Sequence, residues 1–128
     1  MKVLLDTHAL LWWLTDDDRL PMPVGDLIDD AATRVHVSVA SLWELTIKVT
    51  AGRLEIVDDP ATLLTEPLDA AGFRVMPIDR RHVLALPELP QLHGDPFDRM
   101  LVAQALVEDL DLVSGDPMIA TYPVRVVW

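Results

Sequence analysis

An α/β fold, with a central parallel sheet flanked by helices, is what this sequence predicts. Three observations predict it. Short apolar runs alternate with longer stretches of helical spacing, the strand-like runs are apolar at consecutive positions, and Pro and Gly punctuate the junctions. Consecutive apolar residues mark strands buried on both faces, as parallel sheets are. With 128 residues, the chain fits one domain over 1–128.

The elements follow in order. Val3-Leu4-Leu5 reads as a buried strand ending at an acid, and Thr7 to Thr15 as a helix with Leu10, Leu11 and Leu14 on one side. Pro21 and Pro23 interrupt the chain before a helix over Gly25 to Ala32, and Val35 to Val39 has the β-branched content of a strand. Ala40 to Ala51 is helical with Gly52 as its stop, and Ala61 to Ala71 is helical with Gly72 as its stop. Val75 to Ile78 is a third strand, Arg80 to Leu86 a short helix closed by Pro87, and Pro87 to Gly94 a loop. Pro96 to Leu110 is the clearest helix; Leu112-Val113 and Val124 to Val127 are the last strands. Right-handed crossovers bring the carboxyl ends of all strands to one edge, where such sheets bind ligands.

Composition narrows the functions. The hydrophobic fraction of 51% excludes a disordered chain, and the lack of cysteine excludes disulfides, thiolate metal sites and cysteine nucleophiles. The longest apolar run near the start, Ala9 to Leu14, is too short for a secretory core, so a soluble, cytoplasmic protein is expected. The formal net charge of −11 argues against a nucleic-acid binder with a basic stripe. Arg80, Arg81 and His82 form the one basic cluster in the sequence and read as surface.

The acids matter by position. Asp6 follows the first strand, Asp116 the fourth, Asp95 and Asp98 open the helix leading into the fourth, and Glu44 lies early in the helix after the second. A doubly wound sheet turns all of them toward one edge. Clustered carboxylates suit Mg²⁺ or Mn²⁺, hard cations that take oxygen ligands, acidify water and neutralise charge on a phosphodiester. Each acid also has an ordinary reading. Asp95-Pro96 followed by Asp98 is a strong helix start. Ser41 and Glu44 fit a capping box, although a start nearer Ser38 puts Glu44 in the second turn. Asp116 fits a turn after Gly115.

At these residues the chain resembles a known family. Val3-Leu-Leu-Asp-Thr-His-Ala-Leu-Leu-Trp-Trp resembles the opening of PIN-domain proteins, toxins of the VapC type in particular. His93-Gly-Asp-Pro-Phe-Asp-Arg-Met-Leu-Val-Ala-Gln-Ala resembles the third signature block of one branch, while Ser38 to Leu45 and Leu112 to Asp116 fall at the second and fourth. The resemblance implies a PIN fold, Mg²⁺- or Mn²⁺-dependent cleavage of RNA, and inhibition by a cognate antitoxin, with a homodimer or a hetero-oligomer as the assembly. It carries the catalytic and metal-binding roles to Asp6, Glu44, Asp98 and Asp116, and the hydroxyl near the fourth acid to Ser114; Asp95 belongs to the branch motif.

Other residues have two readings each. Thr7 caps the first helix or holds a metal-bound water; Lys48 pairs with Glu44 or contacts phosphate; Arg99 has the same choice beside Asp98. The histidines His8, His36, His82 and His93 lack zinc spacing, and His93 reads as a loop hydrogen-bonder. Trp12, Trp13 and Trp43 stack bases or belong to core and interface, with Trp12, Trp13 and Leu42 to Leu45 the expected antitoxin groove. Three other classes fit the sequence less well. A receiver domain needs a lysine after its last strand, and the two lysines are Lys2 and Lys48. An Asp-x-Asp phosphatase meets His8 where its second acid belongs. A silent PIN-fold binding module is opposed by the presence of all four acids.

Overall fold

The computed structural model describes residues 1–92 and 94–128; the reading of His93 lies outside them. Five strands run parallel in the order β3-β2-β1-β4-β5: β1 Lys2–Leu5, β2 Arg34–Ser38, β3 Arg74–Met76, β4 Asp111–Val113 and β5 Val126–Val127. The chain winds outward from β1 through β2 to β3, then returns to the other side of β1 for β4 and β5. The order therefore reverses between β1 and β4.

Among the described residues, seven α-helices cover the sheet: α1 Thr7–Leu14, α2 Met22–Asp29, α3 Val39–Thr50, α4 Pro60–Leu63, α5 Glu66–Ala70, α6 Arg80–Ala85 and α7 Pro96–Glu108. Strand alternation divides the core. Val3 and Leu5 join Val35, Val37 and Val113 in one cluster with Val24 and Ile28 of α2 and Leu68 of α5. Leu4 and Leu112 point the other way, onto Leu101, Val102 and Ala105 of α7. Both faces of β1 are thus apolar, which is why three buried residues stand in a row before Asp6.

The predicted stops act as such: Gly52 and Gly72 take positive φ values of 72° and 73°, where glycine avoids a Cβ clash. Two expected helices differ. The one expected over 25–32 starts at Met22, with Pro23 in its first turn, where a missing N–H costs nothing. The one expected over 61–71 is two short helices: Pro67 opens the second, and Thr65 at its N-cap leaves the helical region at φ −120°. In the loop expected over 87–94, Leu86–Glu88 makes a 3₁₀ turn. Among the described residues, no helix is long and apolar enough to cross a membrane.

Candidate metal and active site at the carboxyl edge

Leu5 of β1 stands level with Val37 of β2 and Val113 of β4. One step further along each strand, Asp6, Ser38 and Ser114 lie side by side, and Asp6 N–H donates to Val113 O at 3.0 Å. Helices that follow a strand start at this edge and run back, so α1 and α3 begin here. So does α7, which runs directly into β4.

The edge is polar in an otherwise apolar interior. Of the eight buried polar or charged residues described, six belong to it: Asp6, Thr7, Ser38, Ser41, Glu44 and Ser114. Buried polar groups cost stability unless they are paired, so such a concentration needs a reason. Much of the pairing is internal. Asp6 caps α1, its Oδ1 accepting from Ala9 N–H at 2.7 Å. Thr7 therefore does not cap; its hydroxyl donates to Ser41 Oγ at 3.1 Å and ties α1 to α3. Ser38 caps α3, which puts Glu44 in the second turn and removes the capping-box reading with Ser41.

Glu44 is 7% exposed, and its Oε2 pairs with Lys48 Nζ at 2.9 Å. Lys48 thus takes the ion-pair role. The other oxygen of Glu44, Oε1, is buried with no hydrogen-bond partner. An acceptor left bare in this way costs about 1–3 kcal/mol, which a cation or water would relieve. Asp116 sits in the turn expected after Gly115: its Oδ1 accepts from Met118 N–H at 2.8 Å, and its own N–H donates to Ser114 Oγ at 3.1 Å. Burial pushes the Asp6 carboxyl above its ordinary value and Asp116 adds to that, while Ser114, Ala9 and His8 oppose the rise. Asp6 and Asp116 line one cleft of about 430 Å³ with Gly115, Arg19 and three aromatic residues, His8, Trp12 and Trp128.

The α7 side is joined through rings: Trp43 of α3 meets Phe97 edge-on at 5.1 Å, next to Asp98 in the first turn of α7. Asp95 is the N-cap, its Oδ1 accepting from Phe97 N–H at 2.8 Å and Asp98 N–H at 3.2 Å. Arg99 is turned to scaffold duty rather than phosphate: its guanidinium donates to Pro90 O, Leu86 O and the Tyr122 hydroxyl. No three of the four acids bring oxygens within 4.8 Å of one another; like charges repel without a cation between them.

Among the described residues, Asp79, His82 and Glu108 do bring ligand atoms that close, near enough to hold an ion. Their existing bonds suit a staple between α6 and α7 better. His82 Nδ1 accepts from Asp79 N–H, which leaves the proton on Nε2, 2.9 Å from Glu108. Arg81 already neutralises both carboxylates. Toward the sheet's amino edge, Lys2, Arg34, Arg74 and Arg81 line one cavity of about 380 Å³ together with Asp79 and Glu108. Strand register assembles them, Lys2 beside Arg34 and Arg74 beside His36.

Sequence reading missed Arg19 and Trp128 at the cleft, and nothing local marks either. It also missed Asp6 as an N-cap, although an Asp directly before a helical run is a cap signal.

Comparison with known proteins agrees with this geometry. The PIN domain family profile matches residues 3–124. The chain belongs to the PIN-domain family. Ribonuclease VapC22 of Mycobacterium tuberculosis is 28% identical over 115 residues, covering 89% of this chain and 86% of that protein. VapBC2 from Rickettsia felis, solved bound to a DNA fragment from its promoter, superposes with a TM-score of 0.77 at 15% identity, covering 99% and 98% of the two chains. FitAcB from Neisseria gonorrhoeae superposes with a TM-score of 0.66 at 20% identity, covering 100% and 97%. This PIN domain is therefore similar in fold, along its whole length, to the chains matched in the VapBC2 and FitAcB structures.

Proposed function

We propose that this PIN domain is a divalent-metal-dependent endoribonuclease, the toxin of a toxin–antitoxin pair, acting in the cytoplasm. The observation that carries the reading is the concentration of buried polar side chains at the carboxyl edge, with Glu44 Oε1 left unpartnered in an all-oxygen donor set. Asp6, Glu44, Asp98 and Asp116 are the residues that would hold Mg²⁺ or Mn²⁺, and an all-carboxylate set fits hard cations. When bound, the cation supplies a lowered pKa for water and positive charge against the phosphodiester.

The chain's own residues prepare the site. Ala9 N–H, Lys48 and Met118 N–H each hold one oxygen of Asp6, Glu44 and Asp116 respectively, which fixes the three rotamers. Preorganised ligands lose little freedom when an ion or substrate arrives. Ser114 touches both Asp6 and the Asp116 backbone, coupling the two acids at the switch in strand order. Hydrolysis by water leaves 5′-phosphate and 3′-hydroxyl ends and does not use the RNA 2′-hydroxyl.

The test is cleavage of RNA by the purified chain with Mg²⁺, with chelator, and with Mg²⁺ restored. Cleavage only with metal, with 5′-phosphate products, is expected. Chelator-resistant cleavage or 2′,3′-cyclic phosphate ends would refute the mechanism, and no cleavage under any condition would leave a binding module.

The antitoxin surface expected over Trp12, Trp13 and Leu42 to Leu45 is narrower in this reading. Trp13 packs on Phe73 at 4.6 Å and its N–H bonds Asp29, while Leu45 belongs to the core and half-buried Leu42 packs against it. Val39, Trp43 and Ile47 instead stand exposed at i, i+4 and i+8 of α3, an apolar stripe beside Glu44 and Phe97.

A further inference from the structure

The cleft beside Asp6 and Asp116 has walls of two kinds. One side is carboxylate; the other is aromatic, with Trp12 5.6 Å from the His8 ring and 5.9 Å from Trp128. Trp128 is 44% exposed although its ring is packed against backbone. A Cβ on Gly115 would lie 2.7 Å from Trp128 Cζ2, so glycine is what lets the indole lie on the loop that carries Asp116. Across the cleft, the Arg19 guanidinium lies over Trp12 at 5.0 Å. Asp17 fixes its plane through two bonds, from Nε at 3.0 Å and from Nη2 at 2.7 Å, and is itself pushed down to about 2 by that arginine.

We infer that this cleft binds one unstacked nucleobase of a single-stranded RNA, with Trp128 as its stacking platform, next to the phosphate held at the acids. The inference deepens the ribonuclease reading and rests on it. The cleft's chemistry selects the occupant. Asp6 and Asp116 repel a second phosphate, and Arg19 is already neutralised by Asp17, so an anion gains little there. A base is uncharged, flat and polarisable, and the free faces offered are indole and guanidinium. Trp12 and Trp128, 5.9 Å apart and tilted 54°, leave too little room between them, since a sandwiched base needs about 7 Å, twice the contact distance. The base therefore lies on the outer face of Trp128. A paired base in a duplex cannot reach that face, so the site selects single strands and loops.

The experiment uses the Asp6→Asn chain, to hold RNA without cutting it, and two labelled probes of equal length: an oligoriboadenylate and an abasic ribose-phosphate chain. The oligoriboadenylate is expected to bind about tenfold more tightly, as stacking of one base provides. Trp128→Ala should erase that preference, and Trp128→Phe should retain most of it, which separates stacking from loss of fold. Gly115→Ala, which displaces the indole while keeping it in the chain, should also erase it. Equal binding of the two probes, or a preference that survives Trp128→Ala, overturns the inference. Metal-dependent cleavage by the unmodified chain is read separately, and its absence counts against the proposed function alone.

Discussion

Asp6 answers to two demands at once. As the N-cap of α1 it must offer an acceptor to Ala9 N–H, and as a candidate metal ligand it must carry charge while 3% exposed. The two demands separate under Asp6→Asn, because asparagine caps about as well as aspartate. The sign of the stability effect follows from the raised pKa. Below the unfolded value of 3.8 the carboxyl is protonated in both states and costs nothing. As the pH rises past it, the unfolded chain releases a proton that the folded chain retains, so folding loses stability until the folded pKa is passed. In chelator, Asp6→Asn should therefore gain thermal stability over the parent as the pH rises above about 4, and keep that gain at neutral pH. Adding Mg²⁺ should reverse the order, since the parent, with its full set of carboxylates, binds the ion more tightly and gains more by mass action. A parent chain more stable than the variant in chelator at neutral pH would contradict the burial argument.

The start of α7 shows how a cap and a ligand can stand three residues apart on one element. Asp95 accepts from two backbone N–H groups, and Asp98 places its carboxylate in the first turn, where the helix dipole favours negative charge. Asp95→Ala should cost about 1 kcal/mol of stability, while Asp95→Asn should cost little and keep cleavage. Asp98→Asn should abolish cleavage with stability nearly intact. If Asp95→Asn also abolished cleavage, Asp95 would be a ligand and not only a cap. Arg99 gives a second check at this scale: Arg99→Lys loses the fork that bonds Pro90, Leu86 and Tyr122. Unfolding should show a loss of about 1–2 kcal/mol, with the salt dependence of RNA binding unchanged.

Across the whole molecule, the four candidate ligand acids lie at the carboxyl edge, while Lys2, Arg34 and Arg74 line a cavity toward the amino edge together with Arg81 and its partners Asp79 and Glu108, in a chain of net charge −11. Short RNA at the acids should therefore show a shallow log–log salt slope and weak affinity without divalent ion. A slope implying about six or more phosphate contacts would mean that RNA reaches the basic edge as well. The exposed stripe of Val39, Trp43 and Ile47 belongs to this scale too. Trp43→Ser should weaken antitoxin binding, measured by sedimentation after co-expression, and leave the monomer folded because Trp43 is 57% exposed. Unchanged antitoxin binding would move the interface elsewhere.

Local pattern alone determined much of this protein. Runs such as Val3-Leu4-Leu5 report burial on both faces, Gly52 and Gly72 report helix ends, and Asp95-Pro96 reports a helix start, because each depends on residues adjacent in the chain. The PIN resemblance was legible for the same reason, its signature blocks being short and contiguous. Where Pro67 breaks α4 from α5, the signal was present but outweighed by the apolar spacing around it. The tertiary structure alone decided the rest. Strand register set Ser38 and Ser114 beside Asp6, and helix packing bonded Thr7 to Ser41 and stripped Glu44 Oε1 of partners. It also laid Trp128 on Gly115 and gathered four cations at the far edge. Those contacts join residues far apart in sequence, and their energies depend on burial and register, which exist only once the chain has closed on itself.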